Sequence, residues 1–230
     1  MKRLAALAAT VIASIVLILL ASDCGSTRQA QQSLAKPRAT SAGVSALLGG
    51  IRQRGSTLGD PSAPVTVQYF ADLQCPYCRL FTLRVLPSLI RTYVRSGKLQ
   101  IVFRSVETAT HDPETFKLQQ IAALAAGKQN KLWDFIDLFY LEQARENSGY
   151  VTERYLQGLA QQVSGLDLIE WSAARADPRL ARALAGDARA AVSAGINSTP
   201  TFLIAHARYV PYLAALERQL RGGASARFTL

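Results

Sequence analysis

Cys75-Pro76-Tyr77-Cys78 follows a β-branched and aromatic run, Val65-Thr66-Val67-Gln68-Tyr69-Phe70, after Ala71-Asp72-Leu73-Gln74, and stands at the head of a periodic apolar segment. The run is bounded upstream by Pro61 and Pro64 and reads as a strand. The segment from Arg79 to Val94 repeats apolar residues at spacings of three and four (Leu80, Leu83, Leu86, Leu89, Ile90, Tyr93), which predicts a helix kinked at Pro87. Leu99 to Phe103 then reads as a second strand after a turn at Gly97. Strand, helix and parallel strand form a βαβ unit, with the cysteine pair at the turn from first strand to helix.

That placement has chemical consequences. A cysteine at a helix N-terminus meets unpaired N–H groups and the positive end of the helix dipole, and both favour thiolate over thiol. The expectation is an exposed nucleophile at Cys75, with Cys78 one turn along to resolve a mixed disulfide. Pro76 sits where a missing N–H is harmless. Pro76 and Tyr77, between the sulfurs, are the residues that tune them. A zinc site is the weaker alternative, because it needs four ligands and only Cys24, His111 and His206 accompany the pair. A purely structural disulfide would close a tiny loop and stabilise little.

Further along, about 80 residues from Pro113 to Gly195 show helical periodicity and almost no strand signal. Thr201 to Ile204 returns to a strand, and an amphipathic helix is expected near Tyr212 to Arg221. The layout predicts an α/β domain over 46–230, interrupted by a helical insertion at about 111–195. Ahead of Thr201 lies Gly195-Ile196-Asn197-Ser198-Thr199-Pro200. On local grounds Pro200 is a trans strand-starter.

The N-terminus is of another kind. Leu4 to Ala21 is an uncharged run of 18 residues behind Lys2 and Arg3, just long enough to cross a hydrocarbon core. Residues 1–24 are therefore expected to be a signal segment or membrane anchor, with residues 4–21 as the span and the positive end inside. Retention, cleavage and lipidation at Cys24 stay open, since Asp23 fits neither an A-x-A site nor a lipoprotein box well. Residues 25–45, rich in Ser, Ala, Gln and Arg, read as a flexible tether.

Charge follows the same division. Residues 1–58 hold seven of the 26 Lys/Arg and one of the 16 Asp/Glu, so the remainder of the +10 chain is near +4. No basic stripe interleaved with aromatics is present, and nucleic-acid binding has no support. With 49% apolar and 18% charged residues, the body is globular.

Taken together, Phe70 through Arg79, the upstream Leu58-Gly59-Asp60-Pro61-Ser62-Ala63-Pro64-Val65-Thr66, the helical block, and Gly195 through Ile204 resemble the DsbA-like thiol–disulfide oxidoreductases of the thioredoxin superfamily. The likeness covers roughly residues 45–220. It implies a thioredoxin fold with a helical insertion and a cis Pro200 beside the cysteines. It further implies that the Thr199 backbone is offered to an extended substrate segment. The implied activity is dithiol oxidation of unfolded or reduced exported proteins, on the extracytoplasmic (periplasmic or cell-envelope) side of the membrane, with reoxidation by a membrane quinone-linked thiol oxidase. No metal or other cofactor is called for, because the sulfurs carry the electrons. A reductase or isomerase kept reduced by a membrane thiol reductant is the alternative, and a non-catalytic peptide-binding module or chaperone is a further one.

Two departures from the family pattern stand out. Many relatives carry a buried glutamate as proton carrier six residues before the first cysteine, and this chain has Tyr69. Proton traffic to Cys78 must then use water, Asp72 or another group, although Asp72 reads equally well as a turn residue. Ala205-His206-Ala207-Arg208 also replaces the usual Asn/Gly turn. Where strong oxidants of the family often have histidine after the motif proline, Tyr77 implies a less extreme oxidant.

Overall fold

The computed structural model describes residues 41–205, Arg218 and Phe228–Thr229. The expected anchor 1–24, most of the tether, Cys24, His206 and the body of the 212–221 helix lie outside the described residues. None of the described helices is long and apolar enough to cross a membrane.

The strands are β1 (Gln53–Arg54), β2 (Thr57–Leu58), β3 (Val65–Ala71), β4 (Leu99–Ser105), β5 (Thr201–Ala205) and β6 (Phe228–Thr229). Among the described residues they form one sheet in the order β1-β2-β4-β3-β5-β6. β3 runs parallel to β4, with Tyr69 opposite Phe103, and antiparallel to β5, with Tyr69 opposite Phe202. The βαβ unit is thus present, and β3 lies centrally, its C-terminal end delivering the cysteine motif. β4 alternates buried and half-buried residues along its whole length, the period of a strand with unequal faces.

Between β3 and β4 the helix expected over 79–94 is broken. α2 (Pro76–Arg84) is followed by α3 (Leu86–Leu89) and a π-helical turn, Ile90–Val94. Pro87 lacks the N–H that would continue the first ladder, so it opens α3 instead. Between β4 and β5 stand α4 (Pro113–Lys128), α5 (Leu132–Glu142), α6 (Glu153–Gln162), α7 (Leu168–Ala174) and α8 (Pro178–Ser193). Four of the five start on local side-chain caps: Asp112 on Thr115 N, Thr152 on Tyr155 N, Asp167 on Ile169 and Glu170 N, and Asp177 on Arg179 N. Pro113 and Pro178 fill first-turn positions where no N–H is needed.

α1 (Ser41–Leu48) begins earlier than the tether's expected end at residue 45. Val44 and Leu48 are buried in the main core, and this burial draws the helix in despite its weak local signal. At Gly59 the backbone has φ +107°, and a Cβ would come within 2.8 Å of the Leu99 carbonyl oxygen. Only glycine lets the chain leave β2 so close to β4.

Both faces of the sheet are covered. The main core joins the inner side of β3 and β4 to α2, α4 and α5, and includes Tyr69, Phe81, Phe103, Trp133, Phe139 and Phe202. On the other face Phe70, Val106 and Ala191 form a smaller cluster under α8. α8 is further tied down by Asp187, whose carboxylate accepts from Ser105 N at 3.0 Å and from Arg104 Nη1 at 2.9 Å.

Candidate active site

The two cysteines end up as unequal partners because of where the helix starts. Cys75, with φ −67° and ψ 121°, is itself the N-cap of α2, and its sulfur accepts from Cys78 N at 3.4 Å. Cys75 N closes the preceding turn on Asp72 O at 3.1 Å. Both cysteines are free thiols. Contrary to the expectation of an exposed nucleophile, Cys75 is only 3% exposed and Cys78 fully buried. The residue that the turn displays is Tyr77, 56% exposed, with the exposed Leu80 three residues further along α2. Cys75 is covered because the Thr199–Pro200 segment, joined by a cis peptide bond, lies against it. Its Sγ donates to Thr199 O at 3.4 Å.

This setting separates the two thiols. The Cys78 thiol hydrogen-bonded to Cys75 lowers the Cys75 pKa to about 6, with help from the Thr199 hydroxyl and the N–H groups of Cys78 and Tyr77, and against the cost of burial. Burial, and then the neighbouring Cys75, push Cys78 well above the usual thiol range. One sulfur is therefore a thiolate at neutral pH and the other a thiol.

Beneath the pair lies a layer of hydroxyl groups. Tyr69, six residues before Cys75, has its OH 3.4 Å from Cys78 O and 3.2 Å from Thr82 Oγ1. Its ring stacks on Phe202 at 5.3 Å and tilts against Phe81 at 4.9 Å. Tyr140 OH donates to Asp72 O at 3.1 Å. Burial holds both phenols neutral, far above their ordinary range.

Asp72 sits under the turn, fully buried. Its carboxylate accepts from the backbone N–H groups of Gln74, Thr108, Ala109 and Thr110, and from Thr110 Oγ1 and Gln119 Nε2, at 2.6–3.3 Å. Four of these six bonds run to the loop after β4, one to the cysteine turn and one to α4, and among the described residues none from this carboxylate runs to either sulfur. His111 is exposed in that loop, its N–H given to Asn147 Oδ1 at 2.9 Å.

Several groups around the motif carry no sequence signal. Gln143 Nε2, at the end of α5, donates to Leu73 O at 2.7 Å and Cys75 O at 3.3 Å. Arg79 Nε donates to Tyr140 O at 2.8 Å. Thr108 Oγ1 lies 2.6 Å from Thr199 Oγ1. Each reaches the site across 61 to 91 residues of chain, so no local motif announces it.

A family model described as Thioredoxin matches residues 52–220. The chain belongs to the thioredoxin family. It is 33% identical over 108 residues to a probable disulfide bond formation protein D of Bacillus cereus, covering 46% of this chain and 49% of that one. The chain thus spans about half the length of the curated relatives it matches. Among solved structures, oxidised BdbD from Bacillus subtilis superposes with a TM-score of 0.60 at 22% identity, over 75% of this chain and 98% of that one. A thioredoxin-like oxidoreductase from Silicibacter pomeroyi does so with 0.55 at 25% identity, over 72% and 90%. The likeness to these structures is one of fold. In this chain the helices between β4 and β5 are α4 to α8.

Proposed function

We propose that the chain is a thiol–disulfide oxidoreductase that introduces disulfides into exported proteins. The observation that carries the reading is the contrast between the two sulfurs, with Cys75 near pKa 6 at a helix N-terminus and Cys78 buried and held as a thiol. In the oxidised form a client thiolate attacks Cys75 Sγ and forms a mixed disulfide. The Cys75–Cys78 bond breaks, and Cys78 leaves with the electron pair and takes up a proton. A second client thiolate then attacks the client sulfur of that bond, and Cys75 leaves as thiolate. Two electrons pass from client to enzyme, and the client gains one disulfide. A leaving thiol of low pKa speeds the last step and stabilises the reduced enzyme, which is the source of oxidising power.

In this reading Pro76 and Tyr77 tune the pair. The backbone of Thr199, ahead of Pro200, pairs with an extended client segment as an added strand. Residues 4–21 hold the domain at the outer side of the cytoplasmic membrane through the 25–45 tether, and a membrane quinone-linked thiol oxidase returns the electrons. The name shared by the Bacillus relatives supports this direction of flow.

The test is the reduction potential of the Cys75–Cys78 pair in glutathione buffers. A value near about −120 mV supports an oxidase, and one near about −250 mV overturns it in favour of a pair kept reduced by a membrane thiol reductant.

A further inference from the structure

The loop that follows β4 reaches the sulfurs through one side chain. Val106 N first closes on Ala71 O at 3.1 Å, beside the end of β3. The chain then curls over Asp72, whose Oδ2 accepts from three successive N–H groups, Thr108, Ala109 and Thr110. The same carboxylate holds Gln74 N, one residue before Cys75, through Oδ1. One buried anion thereby fixes the cysteine turn and the loop in a common frame. From that frame the Thr108 hydroxyl meets the Thr199 hydroxyl at 2.6 Å, and the Thr199 carbonyl faces Cys75 Sγ at 3.4 Å.

A hydroxyl carries a single proton, so within the Thr108–Thr199 pair only one group donates to the other. When Cys75 is a thiolate it is an acceptor, and the Thr199 proton is best used toward sulfur. That leaves the Thr199 oxygen to accept from Thr108. When Cys75 is a thiol or part of a disulfide, this demand vanishes. We propose that Thr108, held in place by Asp72, is a positioning residue of the redox pair: its hydroxyl orients the Thr199 hydroxyl toward the ionised Cys75. Asp72 acts on the chemistry through this loop.

The inference rests on the cysteines being a redox pair, but it is read as a difference between variant and parent, whereas the direction of electron flow is read from the parent's own potential. Thr108→Val removes the hydroxyl at nearly constant shape. The reduced chain is titrated by thiolate absorbance and equilibrated with glutathione. The expected result is a Cys75 midpoint raised by about half a pH unit, a threefold loss of thiolate over thiol at a given pH, with the pair correspondingly less oxidising. Thr108→Ser restores the parent midpoint. In a Thr199→Val background Thr108→Val adds nothing, because the relay is already cut. Should T108V fail to fold, T108A is measured in its place. An unchanged midpoint in a folded variant, no restoration by serine, or an equal shift in the Thr199→Val background overturns the assignment.

Discussion

Cys75 caps the helix that carries Cys78: the Cys78 backbone N–H points at the Cys75 sulfur across 3.4 Å. A thiolate fills this role better than a thiol, because a charged acceptor roughly doubles the worth of the bond.

The pH dependence follows from that cap. Alkylation of the reduced chain should rise with pH through a midpoint near 6 and modify Cys75, while Cys78 stays silent. The fold is linked to the same titration. Between about pH 6 and 8.5 the folded Cys75 is ionised and the unfolded one is not, so the unfolded chain binds more protons. The stability of the reduced form relative to the oxidised form should therefore grow across that window and fall away as pH drops through 6. Denaturant melts of both forms at pH 5, 7 and 8 check it, and a flat difference counts against the lowered pKa.

Tyr69 should be more tolerant of losing its hydroxyl than its ring. Tyr69→Phe removes two long hydrogen bonds and should cost about 1 kcal/mol. Tyr69→Ala empties the space between Phe81, Phe103 and Phe202 and should cost about 4 kcal/mol. Urea melts distinguish the two.

Asp137 should make the protein less stable as the pH rises from about 4 to about 7. Burial, and then the nearby Asp134, raise its pKa to about 7, and its Oδ1 has no partner among the described residues. In the unfolded chain it ionises near 4, so its contribution is favourable only in acid and is lost progressively until pH passes 7. Asp137→Asn should remove about 2 kcal/mol of the decline in stability between pH 5 and pH 8. An unaltered pH slope in the variant would reject this reading.

Asp187 fastens α8 to the C-terminal end of β4. Asp187→Ala strands Ser105 N and leaves Arg104 held through Nε on Gln68 Oε1, at a cost of about 2 kcal/mol. Hydrogen exchange at Ser105 should speed up with it.

Much of this arrangement is legible in the sequence wherever the information is local. The β3 and β5 runs, the CxxC turn and the Asp-Pro helix starts each declare themselves within a few residues. β1 and β2 do not, because two-residue strands have no period to read. Only the first turn of α1 hides, for a related reason: Ser45 to Leu48 reads as a short helix stopped by Gly49-Gly50, but the Ser41 start depends on Val44 and Leu48 finding the core. The covering of Cys75 comes from Thr199, 124 residues away. Asp72 shows the limit most clearly. Its place in a turn is readable, but its six donors come from the turn, the loop after β4 and α4, and only the fold brings those together.

The helical block is no passenger on the thioredoxin sheet. Its α5 sends Tyr140 OH to Asp72, Tyr140 O to Arg79, and Gln143 to Leu73 and Cys75, so the redox turn is strung between two bodies. Such a turn and such a block have to be inherited as a pair. A chimera that takes its α4–α8 cassette from one relative and residues 72–79 from another splits a single mechanical unit, and its sulfurs would be expected to register the mismatch before its fold did.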